Sequence, residues 1–138
     1  MRGILIISHH MLAEAFVEAS KMLIGEQEAV DWLGLAANED PDAFRQQLCD
    51  KLDCFREKGF SSTIIMADLF GGTPFNQAVR LLQEYDVHLV AGLNLPMLLQ
   101  TILSNSDEIS AEELRDTALQ NGRDGIVDAV EWISKMSE

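Results

Sequence analysis

The sequence predicts an α/β fold, a doubly wound and mostly parallel open sheet of four strands with helices on both faces. Three observations carry this. Short apolar or β-branched runs alternate with stretches of helical periodicity along the chain. The first run, Ile4-Leu5-Ile6-Ile7, is continuously apolar, as a strand covered on both faces requires. The third and fourth runs each lead through a glycine-bearing turn into a helical pattern, the arrangement of right-handed crossovers between parallel strands.

Residues 2–8 read as the first strand. Leu12, Ala15, Phe16, Ala19 and Leu23 then repeat at helical spacing, and Gly25 stops that helix. Ala29-Val30-Asp31-Trp32-Leu33-Gly34 is the second strand. Asp40-Pro41 reads as an N-cap with proline at the first helical position. Phe44, Leu48, Leu52 and Phe55 form that helix's apolar stripe, and Gly59 ends it. The third strand is 63–67. Its helix opens at Thr73-Pro74 and is expected to bury Phe75, Ala78, Val79 and Leu82.

Val87-His88-Leu89-Val90-Ala91 is the fourth strand, and the turn Gly92–Pro96 leads into a helix with Leu95, Leu98, Leu99 and Ile102. Ser110-Ala111-Glu112-Glu113 is a capping box for a helix that runs to Asn121-Gly122. The last segment suits two structures: Ile126, Val130 and Ile133 fit a helix, whereas Ile126-Val127 and Ala129-Val130 fit a short strand. With no linker, repeat or low-complexity stretch, residues 1–138 read as one domain.

The chain has 138 residues, enough for a core without disulfides. Ten basic against 23 acidic residues leave a net charge of −13. Such a charge argues against binding nucleic acid or an anionic membrane surface, and favours a basic protein partner. Cys49 and Cys54 form neither a CxxC nor a zinc spacing and read as reduced thiols. The N-terminal apolar stretch is too short for a signal peptide, and no run approaches the roughly 20 apolar residues of a membrane span. A soluble, cytoplasmic protein is expected.

The chemistry concentrates in Asp68-Leu69-Phe70-Gly71-Gly72-Thr73-Pro74-Phe75-Asn76 and in Ser8-His9-His10. In a parallel sheet both segments leave at the C-terminal strand edge, where ligands sit at the point of strand-order reversal. Imidazole is nucleophilic near neutral pH and can accept a phosphoryl group. A carboxylate bonded to its other nitrogen selects the tautomer and fixes the ring, so His9 and Asp68 are the candidate catalytic pair. Backbone N–H groups of Gly71, Gly72 and Thr73, helped by the helix dipole and the Thr73 hydroxyl, are candidate donors to phosphate.

Plainer roles exist for each residue. Thr73 can cap its helix, and Gly71-Gly72 can be a tight turn. Asn94 reads as another cap, His88 as structural, and His10 as solvent-facing. The His9-His10 pair has no third ligand at usable spacing, so neither a metal nor a cofactor is expected.

The motifs Ile6-Ile7-Ser8-His9 with Ala13-Glu14, Leu23-Ile24-Gly25-Glu26-Gln27, the 68–76 string, Ala91-Gly92-Leu93-Asn94-Leu95-Pro96-Met97-Leu98 and Gly122-Arg123-Asp124-Gly125 cover nearly the whole chain. Together they resemble the IIA component of the mannose/fructose/sorbose family of the bacterial phosphoenolpyruvate-dependent sugar phosphotransferase system. The resemblance implies a phosphocarrier that takes a phosphoryl group from HPr and passes it to a IIB component. It puts the acceptor at His9 through Nε2, the orienting carboxylate at Asp68 and the phosphate-contacting hydroxyl at Thr73. Contact with the membrane would come only through the IIC and IID transporter subunits. The resemblance also implies a homodimer that exchanges a C-terminal antiparallel strand, within about residues 123–132. His10 and Ile7 stand where the family usually has glycine, and Phe70 where it has tryptophan. The end at Glu138 suggests a free-standing IIA protein.

Three other readings fit part of the pattern. A phosphotransfer subunit of a dihydroxyacetone kinase shares the acceptor histidine. A receiver-type domain would be phosphorylated on Asp68, but would need acidic residues after the first strand. A non-catalytic small-ligand module is the third.

Overall fold

The computed structural model describes residues 1–137. Strands β1 (Gly3–His9), β2 (Val30–Leu35), β3 (Thr63–Ala67) and β4 (Val87–Ala91) pair in parallel in the order β2-β1-β3-β4. Strand order therefore reverses between β1 and β3. Helices α1 (Leu12–Ile24), α2 (Pro41–Glu57), α3 (Thr73–Val79), α4 (Leu95–Ser104), α5 (Ala111–Asp124) and α6 (Ala129–Met136) follow in chain order.

The continuous apolar reading of β1 has a direct counterpart, since Ile4 to Ile7 are all fully buried. Alternate strand residues feed two cores. Ile4, Ile6, Ile64 and Met66 pack with Val17, Leu98 and Leu114 of α1, α4 and α5 on one face. Leu5, Ile7, Ile65 and Ala67 pack with Phe44, Leu48, Phe55 and Ala78 of α2 and α3 on the other. This is the predicted doubly wound arrangement.

Caps form where the sequence places them. The Asp40 and Asn94 side chains accept from the N–H groups of Ala43 and Met97. Ser110 and Glu113 make the reciprocal capping box. Each of these three caps is worth about 1 kcal/mol against alanine.

The differences are instructive. Val79 and Leu82 are exposed rather than buried, because α3 ends at Val79 and Leu81 enters the core from the following turns. In α1 the residues facing the core are Ala13, Val17 and Ser20, while Leu12 and Leu23 lie outward. The strand expected within residues 123–132 is not formed. Residues up to Asp124 extend α5, and α6 starts behind Asp128, whose carboxylate accepts from the N–H groups of Val130 and Glu131. Glu131 and Lys135 add an i,i+4 ion pair at 2.8 Å, so local terms favour helix in this segment. Among the described residues no helix is long and apolar enough to cross a membrane.

Candidate functional site

The register of β1 against β3, from Gly3↔Thr63 to Ile7↔Ala67, delivers the ends of both strands to one rim. The Asp68 N–H bonds the Ile7 carbonyl and continues the ladder by one step. His9 and Asp68 thus flank the point where strand order reverses. The His9 backbone N–H donates to Asp68 Oδ2 at 3.0 Å, and His9 Nδ1 lies 2.9 Å from the same oxygen.

A carboxylate oxygen only accepts, so this contact puts the ring proton on Nδ1 and leaves the lone pair on Nε2. The His9 side chain is 42% exposed and that of Asp68 only 12%. Asp68 Oδ1 is buried with no hydrogen-bond partner among the described residues, so His9 makes both hydrogen bonds this carboxylate receives.

The free side of the ring faces the turn before α3. A Cβ on Gly72 would lie 2.7 Å from His9 Cε1 and 3.2 Å from Nε2, so only glycine lets the ring sit against this backbone. Gly71 adopts φ +81°, a conformation that side chains rarely tolerate. The Gly72 N–H closes the turn on the Leu69 carbonyl at 3.2 Å, and Asn76 Nδ2 donates to the Gly71 carbonyl at 2.9 Å.

Gly72 is the N-cap of α3 and Thr73 its first helical residue, so the Thr73 side chain is not the cap. The N–H groups of a first turn have no intrahelical carbonyl to bond, and they carry the positive end of the helix dipole. Nε2 is therefore a nucleophilic nitrogen beside a cluster of donors, an arrangement suited to holding an anion against an imidazole.

Three contributions escaped the sequence reading. Buried Ser8 receives the Ala13 N–H on its Oγ at 2.7 Å and donates to the His9 carbonyl at 3.1 Å, tying the end of β1 to the first turn of α1. His10 takes φ +54°, and a Cβ on Gly34 would meet its carbonyl oxygen at 2.2 Å. Gly34 on β2 thus makes room for the backbone kink directly after His9. Asn76 locks the glycine turn. A Ser before the histidine and an Asn three residues into a helix are common enough to pass as caps.

His10 is exposed. His88 lies on β4, with Nε2 3.8 Å from Glu112 and Nδ1 3.5 Å from Arg115, and makes no hydrogen bond to His9 or Asp68. Asn94 caps α4 and also donates to the Gly122 carbonyl at 2.8 Å, tying α4 to α5. Among the described residues, no cluster of three or more His, Cys, Asp or Glu side chains is placed to hold a metal ion.

Fold and site define a doubly wound α/β protein with a carboxylate-oriented imidazole at the sheet's switch point. Comparison with known proteins narrows this. The family described as "PTS system fructose IIA component" matches residues 3–119. The chain is 34% identical over 131 residues to the "PTS system mannose-specific EIIAB component" of Escherichia coli (strain K12), covering 90% of this chain and 38% of that protein. It thus spans well under half the length of that relative. It is 35% identical over 113 residues to the "PTS system sorbose-specific EIIA component" of Lacticaseibacillus casei, covering 80% of this chain and 78% of the relative.

The crystal structure of the PTS IIA protein associated with the fucose utilization operon from Streptococcus pneumoniae superposes with a TM-score of 0.83 at 29% identity, covering 96% of each chain. The mannose/sorbose specific IIA subunit from Enterococcus faecalis gives 0.81 at 27% identity, covering 92% of this chain and 93% of that one. The chain belongs to the mannose/fructose/sorbose IIA family of the sugar phosphotransferase system.

Proposed function

We propose that this protein is a phosphocarrier that accepts a phosphoryl group from HPr on His9 Nε2 and passes it to a IIB component during sugar uptake. Nε2 attacks the phosphorus of the donor's phosphohistidine. The new N–P bond forms on His9 as the donor's N–P bond breaks, and the electron pair of that bond returns to the donor's ring nitrogen. The Nδ1 proton stays in the hydrogen bond to Asp68, which offsets the positive charge growing on the ring. Transfer to IIB is the same exchange with His9 as the leaving group. The Gly71 and Thr73 N–H groups and the Thr73 hydroxyl donate to the phosphoryl oxygens, while the Gly72 N–H, bonded to the Leu69 carbonyl, holds the turn that presents them, so the step relies on positioning and charge stabilisation.

The observation that carries this reading is the His9 Nδ1–Asp68 Oδ2 contact of 2.9 Å, which leaves Nε2 beside the glycine turn. Family membership supports the choice of HPr and IIB as partners. A receiver-type role for Asp68 is disfavoured, because one oxygen already takes two hydrogen bonds and the other is buried. The test is incubation with phosphorylated HPr. A label on His9 that is lost in acid and survives base supports the proposal, whereas a base-labile acyl phosphate on Asp68 contradicts it.

The same reading takes residues 1–138 as one IIA domain working in the cytoplasm as a homodimer. Support for the dimer comes from Ile126, Val127, Val130, Trp132, Ile133 and Met136, all exposed on or beside α6. A monomer mass that does not change with concentration in light scattering would remove it.

A further inference from the structure

A cavity of about 420 Å³ opens where the C-terminal half of α1 and the loop after it meet the edge strand β2. That volume falls in the range of roughly 300–1,000 Å³ typical of small-molecule sites. Val17 and Trp32 give it an apolar wall, and Lys21, Gln27, Glu28 and Asp31 a polar one. Val30 to Trp32 pair with Ile4 to Ile6, whereas His9 pairs with Leu35. The cavity thus sits about 10 Å back along the strands from the His9 rim.

The polar groups are not all spent on one another. Lys21 is held by Glu18 at 3.1 Å and lies 3.7 Å from Glu26, and Asp31 is paired with Lys51 at 3.0 Å. Asp31 also accepts the Trp32 backbone N–H at 2.7 Å. Gln27 donates to the Ile24 carbonyl at 3.4 Å, which leaves its Oε1 to accept. Among the described residues, Glu28 makes no ion pair or side-chain hydrogen bond, and the indole N–H of Trp32 has no acceptor.

These features select the ligand. An anion would meet the unpaired Glu28 carboxylate. An organic cation would seek the indole face, and Lys51 Nζ already stands over that ring, 5.9 Å from its centre. A strand added to the edge of β2 would have to displace the Asp31–Lys51 pair, a charged guard of that edge. A neutral molecule meets none of these obstacles. Its C–H groups would lie on the indole, and its hydroxyls, which both donate and accept, would serve Glu28, Gln27 Oε1 and the indole N–H.

We propose that this cavity binds a monosaccharide, stacked on Trp32 and held through its hydroxyls by Glu28 and Gln27. The proposal does not depend on His9 being the phosphoryl acceptor.

Trp32 is its own reporter. The chain has two tryptophans, and Trp132 lies exposed on α6, so Trp132→Phe leaves only the indole of the cavity. That variant is titrated with mannose, fructose and sorbose while its emission is followed. A saturable change is expected for at least one sugar, with half-saturation on the order of 1 mM for a ligand of this size in a half-open site. Adding Glu28→Gln, at an exposed position with no protein partner to lose, is expected to raise that concentration roughly tenfold while the denaturation midpoint stays unchanged. The 6-phosphate of the same sugar is expected to bind more weakly than the sugar. A linear response to all three sugars, no larger than that to glycerol, overturns the site, as does a saturable response that Glu28→Gln leaves unaltered. A phosphate ester that binds more tightly than its sugar overturns the choice of a neutral ligand.

Discussion

Asp68 Oδ2 accepts two hydrogen bonds from one residue: His9 donates its backbone N–H at 3.0 Å and its ring Nδ1–H at 2.9 Å. The backbone contact locks the strand end to the carboxylate, and the ring contact then fixes the direction of Nε2. One side chain thereby sets both the position and the tautomer of the proposed nucleophile.

Asp68→Asn separates the charge of this group from its hydrogen bonding, since both contacts fall on one oxygen. An amide oxygen in the place of Oδ2 keeps both contacts but carries no charge to balance a phosphorylated ring. Transfer from phosphorylated HPr is expected to slow by roughly 10²–10⁴-fold, with the far-ultraviolet circular dichroism spectrum retained. Wild-type transfer rates in stopped-time assays would reduce Asp68 to a structural residue.

Gly72→Ala tests the packing of the ring against the turn. The Gly72 backbone sits at φ −74°, which alanine adopts without strain, so the new Cβ conflicts with the His9 ring alone, at 2.7 Å from Cε1 and 3.2 Å from Nε2. Stability is expected to stay within about 1 kcal/mol of wild type. Displacement of the ring by about 1 Å is expected to lower transfer by roughly 10²-fold. Chemical denaturation and transfer rate measured on the same sample check the pair, and a drop in stability with normal transfer would contradict it.

Ser8→Ala removes the acceptor of the Ala13 N–H and leaves that buried donor unpaired. A loss of about 1–3 kcal/mol in unfolding free energy is expected. A denaturation midpoint equal to wild type would mean that Ser8 does not hold β1 to α1.

Much of this was legible in the chain. The uninterrupted apolar run Ile4–Ile7 marked a doubly covered strand because nothing else makes every side chain of a short strand apolar. Asp40-Pro41 and Ser110–Glu113 marked helix starts because capping is a local property. His9 and Asp68 were legible as a pair once both were assigned to the C-terminal ends of parallel strands.

Other features depend on contacts distant in sequence. The periodicity of Leu12, Phe16, Ala19 and Leu23 is the same whether a stripe faces the core or solvent. Only the packing of Ala13 and Val17 shows which side is inward. Gly34 carries no sign in its own neighbourhood that the His10 carbonyl will pass over it from another strand end. The tail suits strand and helix equally by pattern, and in this chain the Asp128 cap and the Glu131–Lys135 pair select helix.

The most direct test of the central claim is mapping of the phosphorylated residue by mass spectrometry under non-acidic conditions, after reaction with phosphorylated HPr. Wild type and His10→Ala are predicted to carry the phosphoryl group on the peptide containing residue 9, and His9→Ala to carry none. Phosphorylation that survives in His9→Ala and disappears in His10→Ala would contradict the account.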